Sequence, residues 1–93
     1  TREETMAKRY NVRIKVIKQE GHCGAGHKVG DESLITDKTP GGMCLSAFAT
    51  LYPSIRALQF GATFPWAKDP DTAEAACPDA ENPVVFELRR EPQ

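Results

Sequence analysis

The chain has 93 residues, of which 40% are hydrophobic and 27% are charged, and its formal net charge is −1. This size and balance predict one small globular domain and argue against a disordered chain. Because nucleic-acid binding needs a cationic surface, a chain with no net positive charge is not expected to have nucleic acid as its main partner.

The N-terminal segment is polar and charged. We expect residues 1–8 to form a flexible tail and residues 9–91 to form a single compact domain. The run TREETMAKRY does not fit a secretory signal peptide, and no apolar run approaches the roughly 20 residues that span a bilayer, so no membrane association is expected. The odd number of cysteines, three, fits a reducing compartment. These features together predict a cytoplasmic protein.

Two strands are predicted in the first part of the chain. Residues 10–19, YNVRIKVIKQ, alternate between apolar and polar side chains, which indicates a half-buried strand. The run GHCGAGHKVGD at residues 21–31 is rich in glycine and is typical of a loop with tight turns. A short second strand is expected at residues 33–36, before the turn signals of DKTPGG.

The apolar spacing becomes helical after Met43, with large side chains at positions 48, 51, 52, 55 and 58. We therefore expect a helix over residues 43–52. Because Pro53 lacks a backbone N–H and disfavours the helical conformation of the residue before it, a kink or a second short helix should follow, up to about residue 59.

The C-terminal third predicts one strand. Residues 68–79 are expected to be a loop with one helical turn at 71–76, and residues 82–90, NPVVFELRR, alternate as a closing strand. The order β, β, α, β predicts an α+β fold. We expect a small single domain with a mainly antiparallel sheet and one kinked or broken helix packed on it.

Four residues form the main candidate site: Cys23, His27, Cys44 and Cys77. Three thiolates and one imidazole make a tetrahedral ligand set for zinc, and the same set can hold iron. The pair C-x3-H lies in the glycine-rich loop, whereas the other two cysteines stand alone in the sequence. His22 competes with His27 as a ligand, but we interpret His22 as an exposed loop residue.

The same residues also fit thiol chemistry without a metal. Cys44 lies at the predicted helix start, where free amides and the helix dipole stabilise a thiolate. In this hypothesis His27 is the base and Cys23 or Cys77 is the resolving thiol. The chain contains no C-x-x-C motif, and buried cysteines also serve as small hydrophobic residues. Whether the protein is an enzyme stays open.

The acidic loop residues are given structural roles. Asp31 and Glu32 follow a glycine at a strand entry and are expected to bind loop amides. Asp69, Asp71 and Asp79 are expected to be solvated, because the twelve-residue pattern of a calcium loop is absent.

The aromatic segment FGATFPW at residues 60–66 supports a third hypothesis. We expect Phe60, Phe64 and Trp66 to cover the small core. The alternative is a subunit contact, which would make the protein a non-catalytic, homo-oligomeric interaction module in which the thiols are incidental. A pocket for a small molecule, whose identity the sequence does not give, is a further use of these side chains.

Several short motifs occur together along the chain: C-x3-HKVGDE from Cys23, PGGMC ending at Cys44, QFG and FPW up to Trp66, and ACPD followed by NPVVFELRR. Their combination over residues 9–90 resembles a family of small prokaryotic proteins of unassigned function. The resemblance implies a compact single domain. It also implies that Cys23, His27, Cys44 and Cys77 belong to the family pattern, but it brings no activity.

Overall fold

The computed structural model describes residues 10–92 and contains five elements in chain order. They are β1 (Tyr10–Gln19), β2 (Glu32–Ile35), α1 (Leu45–Gln59), β3 (Thr72–Ala76) and β4 (Val84–Pro92). The four strands form one antiparallel sheet in the order β2-β1-β4-β3, and α1 packs against it. The predicted α+β class is therefore confirmed. The tail expected at residues 1–8 lies outside the described residues.

The hydrophobic core lies between α1 and one face of the sheet. The alternation seen in β1 places every second side chain on this face, and the helix contributes residues spaced three or four apart. Apolar burial of this kind is the main force that holds a helix on a sheet. The buried apolar residues are Val12, Ile14, Val16, Ile35, Ala47, Leu51, Ile55, Leu58, Ala73, Val84, Phe86 and Leu88.

The opposite face of the sheet is polar. The guanidinium of Arg13 donates from Nε to Oε2 of Glu91 at 2.7 Å, and Nη1 of Arg89 donates to Oδ2 of Asp69 at 2.8 Å. Such charged pairs are compatible with solvent, so this face needs no second helical layer. The helix covers the apolar face of the sheet. The loops that carry the candidate site lie at one end of the two central strands, β1 and β4.

The helix differs from its prediction at both the start and the middle. It begins at Leu45 because Cys44 has an extended backbone, with φ −56° and ψ 131°. It continues through Pro53 as one helix to Gln59, so of the two predicted alternatives, a kink or a second short helix, the second helix does not form. Proline removes one helical hydrogen bond, but Leu51 and Ile55 on either side are fully buried against the sheet. Their packing holds the helix together across the missing bond.

Residues 72–76 do not have the predicted conformation. They form β3 instead of a loop with a helical turn, and they pair with β4 from Thr72 opposite Arg89 to Ala76 opposite Val85. The sequence TAEAA has a weak intrinsic preference for strands because three of its five residues are alanine. Pairing with β4 and burial of Ala73 beneath the helix decide the conformation here.

The remaining bounds agree closely with the sequence pattern. β1 is found where it was predicted, β2 begins one residue earlier than expected, and β4 runs two residues further, as far as Pro92. Within residues 10–92 no helix is both long and apolar enough to cross a membrane.

Candidate functional site

The candidate site is a pocket of about 460 Å³ at one end of the central strands. Three chain segments meet there: the glycine-rich loop after β1, the first turn of α1 and the loop between β3 and β4. All four residues singled out from the sequence line this pocket. The lining residues are Cys23, Gly24, Ala25, His27, Cys44, Ser46, Ala47, Cys77, Pro78, Asp79, Asn82 and Val84.

His27 is fixed by a hydrogen bond to the start of the helix. The backbone N–H of Cys44 donates to Nε2 of His27 at 3.0 Å, and the imidazole edge contacts the ring of Phe86 with centroids 5.9 Å apart. Because Nε2 accepts this hydrogen bond, it has no hydrogen of its own, and the ring hydrogen lies on Nδ1. The Cys44 side chain makes no capping hydrogen bond, so His27 provides the side-chain hydrogen bond at the start of the helix.

The Cys77 thiol makes hydrogen bonds with two backbone groups, and it donates to one of them, the carbonyl of Asn82, at 4.0 Å. The backbone N–H of Val84 points at its Sγ at 3.3 Å, and the Cys77 N–H donates to the Val84 carbonyl at 3.0 Å. Hydrogen bonds from backbone N–H groups to sulfur are a common feature around metal-bound thiolates. Cys77 and Val84 are thus hydrogen-bonded to each other where β3 ends and β4 begins, and this pairing fixes the position of the sulfur.

Cys23 is carried by a tight turn in the glycine-rich loop. The N–H of Gly26 donates to the Cys23 carbonyl at 2.9 Å, and Gly26 has a φ of +80°, which glycine adopts without strain. This turn brings His27 back to the same pocket. Cys23, Cys44 and Cys77 are all half-buried and carry free thiols.

The four side chains share the pocket but are not arranged as a formed metal centre. Within residues 10–92, no three His, Cys, Asp or Glu side chains are grouped closely enough to hold a metal ion. In addition, the free lone pair of the His27 ring is engaged by the Cys44 N–H. Metal binding by these residues would therefore require the candidate ligands to move closer together, and their role as ligands stays a prediction.

Asp31 and Glu32 have different hydrogen-bond partners. Asp31 binds a loop amide as expected, since its Oδ2 accepts the N–H of Lys28 at 3.0 Å. Glu32, by contrast, contacts a side chain, at 3.5 Å from Nη1 of Arg13. His22 is exposed, as interpreted from the sequence, and it does not line the pocket in the described part of the chain.

Asp79 and Asn82 are pocket residues that the sequence analysis missed. Asp79, expected to be a solvated acid, accepts the N–H groups of Asn82 and Glu81 through Oδ1, at 3.1 and 3.0 Å. These bonds and one from the Asn82 amide lower the pKa of Asp79, with the backbone N–H of Asn82 as the largest cause. The signal in the sequence was D-x-x-N-P, a pattern typical of an Asx turn before a strand.

The aromatic segment covers the core only in part. Phe64 is half-buried and packs against the core, and its ring lies 5.2 Å from that of Trp66. Trp66 is 76% exposed and Phe60 is 58% exposed. The prediction that all three aromatic residues cover the core is therefore wrong for Phe60 and Trp66. The segment does not contribute to the thiol pocket.

Comparisons with known family models, with curated proteins and with solved structures find no match to this chain. The resemblance to a family of small prokaryotic proteins therefore stays a prediction, and the function has to be inferred from the residues of the pocket.

Proposed function

We propose that this protein binds a thiophilic metal ion, zinc or iron, in the pocket formed by Cys23, His27, Cys44 and Cys77, with a structural or redox role. One observation carries the proposal: all three cysteines of the chain line one pocket, although they come from three separate segments. A histidine from the same loop as the first cysteine lines it too. The same three cysteines also pack against the hydrophobic core, so in the metal-free protein they serve as small apolar residues.

The chemistry of the donors favours a soft or borderline metal. Thiolate sulfur and imidazole nitrogen are the ligands that zinc prefers in structural sites, and thiolates also hold iron. The N–H of Val84 points at Cys77 Sγ and would stabilise the negative charge of a metal-bound thiolate. A reducing compartment such as the cytoplasm would keep the three thiols available to the metal.

Ligation would change the contacts of His27. Its Nε2 would have to release the N–H of Cys44 before it could bind a metal, because a neutral imidazole has only one free lone pair. If all four residues bind, the site is closed, which is typical of a structural metal. If His27 keeps its hydrogen bond, three cysteines bind and a fourth position stays open to a small molecule.

The proposal is tested by zinc binding to the reduced protein, measured by competition with a chromophoric chelator. We expect one zinc per chain, and we expect the Cys44→Ser and Cys77→Ser variants each to lose most of the affinity. Ser46→Ala is the matched control, because Ser46 lines the same pocket without offering a preferred ligand. The proposal fails if neither zinc nor anaerobically added ferrous iron binds the wild-type protein.

A second candidate function is thiol chemistry centred on Cys44. It is favoured by the observation that three free, half-buried thiols share the pocket while no three candidate ligands within residues 10–92 are grouped for a metal. Oxidation of two of these thiols would form one S–S bond and pass two protons and two electrons to a small disulfide oxidant. This function predicts that Cys44 reacts with iodoacetamide much faster than Cys23 and Cys77 in the metal-free protein.

A homo-oligomeric interaction module remains the third candidate, and the exposure of Trp66 and Phe60 favours it. It predicts a metal-free dimer whose association survives alkylation of all three thiols. Sedimentation velocity before and after alkylation distinguishes this candidate from the first two, because neither of those requires a second copy of the chain.

A further inference from the structure

The loop that carries Cys23 and the loop that carries Cys77 are joined by one side chain, Asn82. Its Oδ1 accepts the backbone N–H of His22 at 2.8 Å, across 60 residues of sequence. Next to it, the N–H of Glu20 donates to the carbonyl of Pro83 at 3.0 Å, which continues the β1–β4 pairing. The Asn82 bond therefore lies just where the two central strands separate into their loops.

Asp79 fixes the orientation of the Asn82 amide. Nδ2 of Asn82 donates to Oδ2 of Asp79 at 3.3 Å, and Oδ1 of Asp79 accepts the Asn82 N–H at 3.1 Å. With the amide nitrogen facing the carboxylate, the amide oxygen faces the N–H of His22. The two side chains thus form a chain of hydrogen bonds from the Cys77 loop to the Cys23 loop, here called the relay.

Gly21 provides the space for this relay. It has a φ of +68°, and a Cβ at this position would overlap Oδ1 of Asn82. Any side chain at position 21 would therefore be strained and would displace the amide. Gly21 lies two residues before Cys23, so the close approach occurs in the loop that carries this thiol.

We propose that Asn82, oriented by Asp79, is a positioning residue that holds the Cys23 loop against the Cys77 loop so that both thiols face one pocket. The inference rests on the proposed function, because its use is to bring two candidate ligands to one metal ion. Asn82 and Asp79 both line the pocket, whereas the neighbouring hydrogen bond from Glu20 to Pro83 joins backbone atoms.

Asn82→Asp separates the two halves of the relay. The new carboxylate can still accept the His22 N–H, but it loses the donor to Asp79 and repels that carboxylate. We expect zinc affinity to fall about 10–100-fold, as is usual when a residue supporting a metal ligand is replaced. The Asp79→Asn/Asn82→Asp double variant exchanges the acid and the amide, and it should recover most of the lost affinity.

Two control variants separate positioning from a general loss of stability. Glu81→Ala lies in the same turn, where the exposed Glu81 contributes only its backbone N–H. Thr72→Val removes the hydrogen bond from Thr72 Oγ1 to the Asp69 carbonyl, at the end of β3 far from Cys77. Both should bind zinc like the wild type, even if Thr72→Val lowers the melting temperature.

The second readout is the alkylation rate of each cysteine in the metal-free protein, followed by mass spectrometry after iodoacetamide treatment. We expect Asn82→Asp to raise the rates of Cys23 and Cys77 relative to Cys44, and the double variant to return them to the wild-type pattern. Gly21→Ala should give the same pattern as Asn82→Asp, because it displaces the same amide.

The outcomes keep the two proposals apart. If Asn82→Asp and the wild type bind zinc equally tightly, the positioning role is wrong, although the metal site stands. If the wild type binds no metal, the proposed function is wrong and the alkylation pattern decides on Asn82. Unchanged relative rates in Asn82→Asp would then overturn the positioning role, and changed rates that the double variant restores would support it.

Discussion

His27 shows how a single residue serves both the fold and the candidate site. Its Nε2 accepts the Cys44 N–H at the helix start, and its ring edge contacts Phe86 in the core. The other histidine, His22, is exposed and contributes its backbone N–H to the fold. The two histidines of the chain therefore form a natural pair for comparison.

We predict that His27→Ala lowers the free energy of unfolding by about 1–2 kcal/mol, because it leaves a half-buried N–H without its acceptor and removes a packed ring. His22→Ala should change it by less than about 0.5 kcal/mol, as exposed substitutions usually do. Urea unfolding of the reduced, metal-free proteins measures both values. Equal effects of the two substitutions would contradict the role assigned to His27.

The four candidate ligands could be predicted from the sequence, whereas the hydrogen bonds of Asn82 could not. The residue types and motifs pointed to Cys23, His27, Cys44 and Cys77, and the structure does bring them to one pocket. The relay through Asn82 was not foreseeable, because it depends on which backbone N–H of a distant loop faces its amide. Pairings across 60 residues are decided by the fold and leave no local pattern.

At the scale of elements, α1 contains an unfavourable residue that its packing overcomes. Pro53 is the ninth residue of the helix and is exposed, so its ring adds little burial while its missing N–H breaks the ladder to the carbonyl of Ala49. The helix is nevertheless continuous because Leu51, Ile55 and Leu58 bury their side chains against the sheet.

We therefore predict that Pro53→Ala stabilises the protein. Alanine restores the hydrogen bond and has a higher helix propensity, which should raise the free energy of unfolding by about 1–3 kcal/mol after the greater entropy of the unfolded chain is considered. Ser54→Ala at the adjacent position is the control, and its gain should stay near 0.5 kcal/mol. A lower melting temperature for Pro53→Ala would contradict this prediction and would show that the proline ring itself stabilises the packing of the helix.

The elements that the sequence predicted well are those with strong periodicity. β1 and β4 alternate over nine or ten residues, and α1 repeats its apolar positions every three or four residues. β3 was missed because its five residues contain three alanines and little contrast between faces. An edge strand of this kind is specified by its neighbour β4, which the local sequence does not reveal.

At the scale of the whole molecule, the polar face of the sheet links stability to pH. The pKa of Glu91 is lowered chiefly by its hydrogen bond from Arg13. The pKa of Asp69 is lowered first by the backbone N–H of Asp71 and then by Arg89. A carboxylate whose pKa is lower in the folded state stabilises that state above its unfolded pKa, and this stabilisation is lost as the pH falls through the folded value.

We predict that the urea midpoint falls as the pH drops below about 4, the ordinary range of these acids in unfolded chains. Glu91→Gln and Asp69→Asn should be less stable near neutral pH and should show a smaller decrease below pH 4, because each has already lost a group that responds to acid. Glu81→Gln, whose exposed side chain lies in another loop, should follow the wild type. An acid response unchanged in both Glu91→Gln and Asp69→Asn would contradict this assignment.

The central prediction at this scale is that the pocket lined by the three cysteines, at the end of the central strands, binds a metal ion. X-ray absorption at the zinc edge tests it most directly, on the reduced protein loaded with one equivalent of zinc. We predict sulfur neighbours at about 2.3 Å, three in number, with one nitrogen at about 2.0–2.1 Å when His27 binds. A shell made only of oxygen and nitrogen, or zinc that washes out before the measurement, would contradict the claim.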